Sequence, residues 1–79
     1  MNVIEELQQV FRATFKDNAI EIGDSTTAKD IDEWDSLSHV GLVLEAEKRF
    51  GIRFSTAEIA LLENVGEFAH IIRRRTGRD

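Results

Sequence analysis

Few side chains in this sequence have the chemistry for a site, and Ser36 is the first of them. It lies in Asp35-Ser36-Leu37, where a polar stretch gives way to an amphipathic run, and His39 follows three residues later. Positions three apart share a face of a helix, so a Ser–His pair with the imidazole as base is one chemistry open to this spacing. Such a nucleophile also needs an oxyanion site and a concave pocket, and 79 residues leave little room for either. The balance falls to His39 as a solvent-facing helix residue. Asp30, Asp32, Glu33 and Asp35 offer a second chemistry, oxygen ligation of a divalent cation. The run lacks the sixth-position glycine and distal glutamate of a calcium loop, so it reads as a solvated acidic loop. His70 has no second ligand at metal spacing and reads as a partly exposed helix residue, and the run Arg73 to Arg75 reads as solvated. The chain therefore reads as a non-enzyme that presents one hydroxyl. Ser36 is then either a plain helix N-cap or the attachment point for a phosphate, which the positive end of a helix dipole favours.

The elements that must present that hydroxyl follow from periodicity. Val3, Ile4, Leu7, Val10, Phe11 and Phe15 recur at helical spacing and predict a first helix over 1–16, with Glu5, Glu6, Gln8, Gln9 and Arg12 facing away. Residues 17–35 form a long connection rich in turn formers, with Ile20, Ile22, Ile31 and Trp34 as its anchors on the helices. Residues 36–50 predict a second helix with Asp35 or Ser36 as N-cap and an apolar stripe of Leu37, Val40, Val43, Leu44 and Phe50. Gly51 stops it as a left-handed C′ residue. Gly41 inside it implies either close helix packing or clearance for something lying along the helix. Ser55-Thr56-Ala57-Glu58 is a capping-box pattern that starts a short helix through Leu62, and Asn64 repeats the cap before a last helix with Val65, Phe68, Ala69, Ile71 and Ile72 buried. Ile52 and Phe54 plug the core, and residues 76–79 are expected to fray. The fold class is all-α: a four-helix bundle, three helices long and one short, in one domain over 1–79.

Composition narrows the function. Fifteen acidic against ten basic residues give a net charge of −5, which disfavours nonspecific nucleic-acid binding. Residues 1–36 hold nine acids and three bases, a net of −6, so the remainder carries about +1. There is no cysteine, hence no disulfide or thiolate metal site. With no membrane-length apolar run and no signal-peptide pattern, the expectation is a cytoplasmic monomer with no membrane insertion.

At Asp35-Ser36-Leu37 the sequence resembles the acyl carrier protein and peptidyl carrier protein family. The match extends over Trp34-Asp35-Ser36-Leu37-Ser38-His39-Val40, then Leu42-Val43, Glu47, Phe50-Gly51-Ile52 and Val65-Gly66-Glu67, in family order and at family spacing. The resemblance implies that Ser36 carries a covalent 4′-phosphopantetheine arm. A separate phosphopantetheinyl transferase attaches it from coenzyme A, and the arm's thiol holds cargo as a thioester. Asp35 and Leu37 are implied as neighbours that cap the helix or meet the transferase and fix the helix start. Further partners implied are an acyl- or aminoacyl-loading ligase and downstream acyl-transferring enzymes. Carriers for fatty acid synthesis resemble one another in a strongly acidic second helix. Residues 36–50 here are neutral, with Glu45 and Glu47 against Lys48 and Arg49, so a specialised pathway is expected. Some family members store cargo between helices; Leu42, Ala46, Phe50, Phe54, Ile59, Leu62 and Phe68 are the candidate liners, each with core packing as the preferred role. The alternative is an unmodified helical protein–protein interaction domain.

Overall fold

The computed structural model describes residues 2–78. Asn2 starts the first helix, α1 (Val3–Phe15), by accepting the Glu5 N–H at 2.9 Å. The sequence pattern runs this helix from Met1 to Lys16. Met1 lies outside the described residues, and Lys16 is in the left-handed region (φ 53°, ψ 42°), where it ends the helix. Val3, Leu7, Val10 and Phe11 are buried, as the spacing predicts. Three polar residues expected to face away do not. Glu6 is only 8 % exposed and is paired with Arg49 and Arg78. Gln8 accepts the Ile22 N–H at 2.9 Å, and Arg12 donates to the Ile20 carbonyl at 2.7 Å. The long connection needs partners for its backbone polar groups, and the flank of α1 supplies them.

The connection is pinned by its apolar residues, as expected. Ile20, Ile31 and Trp34 are buried and Ile22 is half-buried. Trp34 stands edge-on to Phe11, 5.1 Å between ring centroids. The connection also reaches the start of the last helix. Val65 donates to the Thr26 carbonyl at 2.9 Å and Gly66 to the Asp24 carbonyl at 2.8 Å, beside an isolated bridge between Thr27 and Asn64. A Cβ on Gly66 would lie 2.8 Å from the Asp24 oxygen, so only glycine admits this approach.

The second helix, α2 (Ser36–Phe50), ends at Gly51 with φ 68°. Its buried residues are Leu42, Val43 and Ala46, which face α1 and the core. The stripe read from sequence is therefore corrected. Of its five members only Val43 is buried; Phe50 is half-buried, and Leu37, Val40 and Leu44 are exposed. At about 100° per residue the two apolar sets lie on opposite sides of the helix, and periodicity alone cannot tell which one meets the core.

The third helix, α3 (Thr56–Ala60), is shorter than predicted, with Leu61 at its C-cap and Leu62 turned into the core. Its capping box is present in both halves, Ser55 with Glu58. Asn64 caps the fourth helix, α4 (Val65–Thr76), which buries Val65, Phe68, Ala69 and Ile72 and ends at Gly77. Residues 76–78, expected to fray, make contacts in the structure. Thr76 is helical, and the Arg78 guanidinium lies 5.5 Å from the Phe50 ring while pairing with Glu6; Asp79 lies outside the described residues. Arg75 is likewise more than solvated: it pairs with Glu58, donates to the Arg53 carbonyl and lies over Phe54.

Candidate functional site

The helix start at residues 35–38 settles what Ser36 does not do. Asp35 is the N-cap, and one of its carboxylate oxygens accepts from the N–H groups of Leu37 at 3.1 Å and Ser38 at 2.8 Å. Ser38 returns the favour: its hydroxyl accepts the Asp35 N–H at 2.9 Å and donates to the Glu33 carbonyl at 2.7 Å. Both halves of a capping box are thus made without Ser36, which is the first helical residue and is exposed. The Ser38 N–H above all holds the Asp35 carboxyl below the usual carboxylate range. Leu37 takes part in the helix start through its backbone N–H, which donates to Asp35, while its side chain is 85 % exposed.

His39 is not the solvent-facing residue expected from sequence. Its ring is half-buried, with Nδ1 3.0 Å from the Trp34 indole Nε1 and Nε2 3.1 Å from the Ile59 carbonyl oxygen. With both ring nitrogens engaged, the imidazole has no lone pair left for the Ser36 hydroxyl, which removes the Ser–His pair. Sequence offered no sign of this, since Trp34 and Ile59 meet His39 only through the fold.

Beside Ser36 an open groove of about 470 Å³ runs between the connection, α2 and α3, walled by Trp34, His39, Val40, Ile59 and Leu62. Ile59 and Leu62 are thus the two expected liners that border it. Leu42, Ala46, Phe54 and Phe68 are buried in the core instead, and Phe50 packs under Arg78 at the far end of α2. The acidic run is divided among local duties: Asp30 accepts from the Thr27 N–H and hydroxyl, and Asp35 caps α2. Among the described residues no cluster of His, Cys, Asp or Glu could hold a metal ion.

The rest of α2 is nearly neutral on its outer side. Glu47 is occupied, accepting the Phe54 N–H at 2.8 Å, and Glu45 pairs with Lys48 at 3.7 Å. Nothing approaches within 4 Å of a Cβ built on Gly41, so close helix packing does not explain that glycine. Instead it extends the exposed apolar side formed by Leu37, Val40 and Leu44.

No protein-family model matches the chain, and no curated protein does. Among solved structures, the solution structure of a holo acyl carrier protein from Geobacter metallireducens matches with a TM-score of 0.89. The two are 36% identical, over 98% of this chain and 88% of that one. The chain belongs to the acyl carrier protein family. An acyl carrier protein carries cargo and is not an enzyme, and this one presents the exposed Ser36 residue at the start of α2. Among those residues, no helix of the carrier is long and apolar enough to cross a membrane.

Proposed function

We propose that Ser36 is the attachment point of a 4′-phosphopantetheine arm and that the protein is a carrier of acyl or aminoacyl intermediates. The observation that carries this is the division of labour at the start of α2. Asp35 and Ser38 do all of the capping, so the Ser36 hydroxyl is left exposed at the positive end of the helix. Residues present fit the arm. A phosphodiester on Ser36 gains from the dipole of a 15-residue helix, and the adjoining groove offers Val40, Ile59 and Leu62 to an apolar chain. The arm supplies a terminal thiol on which cargo rides as a thioester. Asp35 keeps the helix start in place, and its carboxylate is available at the rim to a transferase.

Partners are a phosphopantetheinyl transferase, a loading ligase and acyl-transferring enzymes. Their docking face on α2 would be apolar and neutral: Leu37, Val40, Gly41 and Leu44, with Glu45 offset by Lys48. Such a face suits enzymes that present apolar rather than basic surfaces, which favours a specialised pathway over housekeeping fatty acid synthesis. The direct test is incubation with a promiscuous phosphopantetheinyl transferase and coenzyme A, read by intact-mass spectrometry. The wild type is expected to gain one arm and Ser36→Ala none. A wild type of unchanged mass leaves an unmodified interaction domain as the reading.

A further inference from the structure

In the groove beside Ser36, the His39 side chain bridges the connection and α3. We infer that His39 is a latch joining the long connection, α2 and α3, and that it keeps a tethered chain in the open groove and out of the helical core. This rests on Ser36 bearing the arm. The tautomer protonated at Nε2 satisfies both contacts of the ring: Nδ1 accepts from the Trp34 indole, and Nε2 donates to the Ile59 carbonyl. Trp34 is itself fixed, 4 % exposed and edge-on to Phe11. The ring therefore cannot turn without losing the tie between α2 and α3.

That tie matters because α3 is the shortest of the four helices. It has five residues and none of them is fully buried. Its ion pair, Glu58 to Arg75, reaches toward α4 and not α2, and Ile59 packs only part-buried against the core. Beneath the groove Leu42, Ala46 and Phe68 are fully buried, so a chain can reach them only if α3 swings away from α2. Swinging it breaks the bond from His39 to Ile59. A chain lying in the open groove stays in contact with water, so lengthening it gains little; only passage beyond His39 would bring full burial. His39 is thus a positioning residue that sets how much of the cargo the carrier shields.

The experiment loads wild type, His39→Leu and His39→Gln with acetyl or dodecanoyl arms, from the corresponding acyl-coenzyme A and a transferase. Loading is confirmed by intact mass, and thermal midpoints are compared within each protein. A chain bound by the native state alone raises the midpoint. In the wild type the two loaded forms are expected to melt together. In His39→Leu the dodecanoyl form is expected to melt at least about 4 °C above its own acetyl form. In His39→Gln, whose amide can accept from Trp34 and donate to Ile59, the two forms should again melt together. A midpoint that rises with chain length in the wild type overturns the latch, as does no rise in His39→Leu, or a Gln variant that follows Leu. If His39→Leu does not fold, Trp34→Phe removes the orienting indole N–H together with the rest of the five-membered ring, and the absence of any chain-length effect in it counts against the latch. A wild type that takes up no arm sinks the Ser36 assignment and the latch with it, whereas normal loading without the His39 effect sinks the latch alone.

Discussion

Ser36 and its two neighbours in the capping box show how a residue is made available by what surrounds it. A serine that opens a helix usually serves as its cap. Asp35 takes that role here, and Ser38 completes it, so Ser36 has no structural duty to be taken from. The Asp35 carboxyl is held below its usual range by the N–H groups it accepts, that of Ser38 first. A carboxyl whose folded-state value is lowered contributes stability that is fully present above its unfolded value and is lost as pH falls through the lowered one. Asp35→Asn keeps a capping oxygen and loses the charge. Urea unfolding should find the variant less stable than wild type at neutral pH, with the gap closing in acid below the usual carboxylate range. A gap of constant size across that range would mean that the charge has no part in the cap.

Two glycines separate the elements that hold the site from the element that displays it. Gly66 opens α4 where the long connection crosses it, 2.8 Å from its N to the Asp24 carbonyl oxygen. A methyl group there collides with backbone, which can give way only by moving the connection. Gly66→Ala should cost about 1–3 kcal/mol, as overpacking does, seen as a lower thermal midpoint. Gly41 lies in α2 with open space around it. Gly41→Ala should add about 0.8–1 kcal/mol through helix propensity alone. Calorimetry of the pair should therefore give shifts of opposite sign. Two shifts of the same sign would mean that one of the two contact descriptions is wrong.

Seen as a whole, the molecule spends its charges on its own structure and leaves an apolar, neutral strip for partners. Glu6, buried between Arg49 and Arg78, joins α1 to α2 and to the C-terminal end of α4. Glu47 and Glu58 are held in turns and caps. The negative charge collects on the connection, where residues 17–35 hold seven acids against the single base Lys29, away from the outer side of α2. A carrier built this way should not replace the fatty acid carrier of a cell that lacks its own. Full rescue of growth by this protein would end the specialised-pathway proposal while leaving Ser36 as the arm's position.

The sequence by itself determined four helices, their caps at Ser55, Asn64 and Gly51, the anchors of the long connection, and Ser36 as the residue to examine. Each of these is a local matter: a turn's unsatisfied N–H groups, a left-handed glycine or a helical period is written in residues a few places apart. Which side of α2 faces inward was not local, because Leu37-Val40-Leu44 and Leu42-Val43-Ala46 are both apolar at helical spacing. The choice belonged to α1 and the core, against which only the second set packs. The same holds for Glu6, which the pattern turned to solvent and the folded chain buried between two arginines distant in sequence. It holds for His39 as well: Ile59 lies 20 residues away along the chain and comes within hydrogen-bond distance only when α3 is laid beside α2.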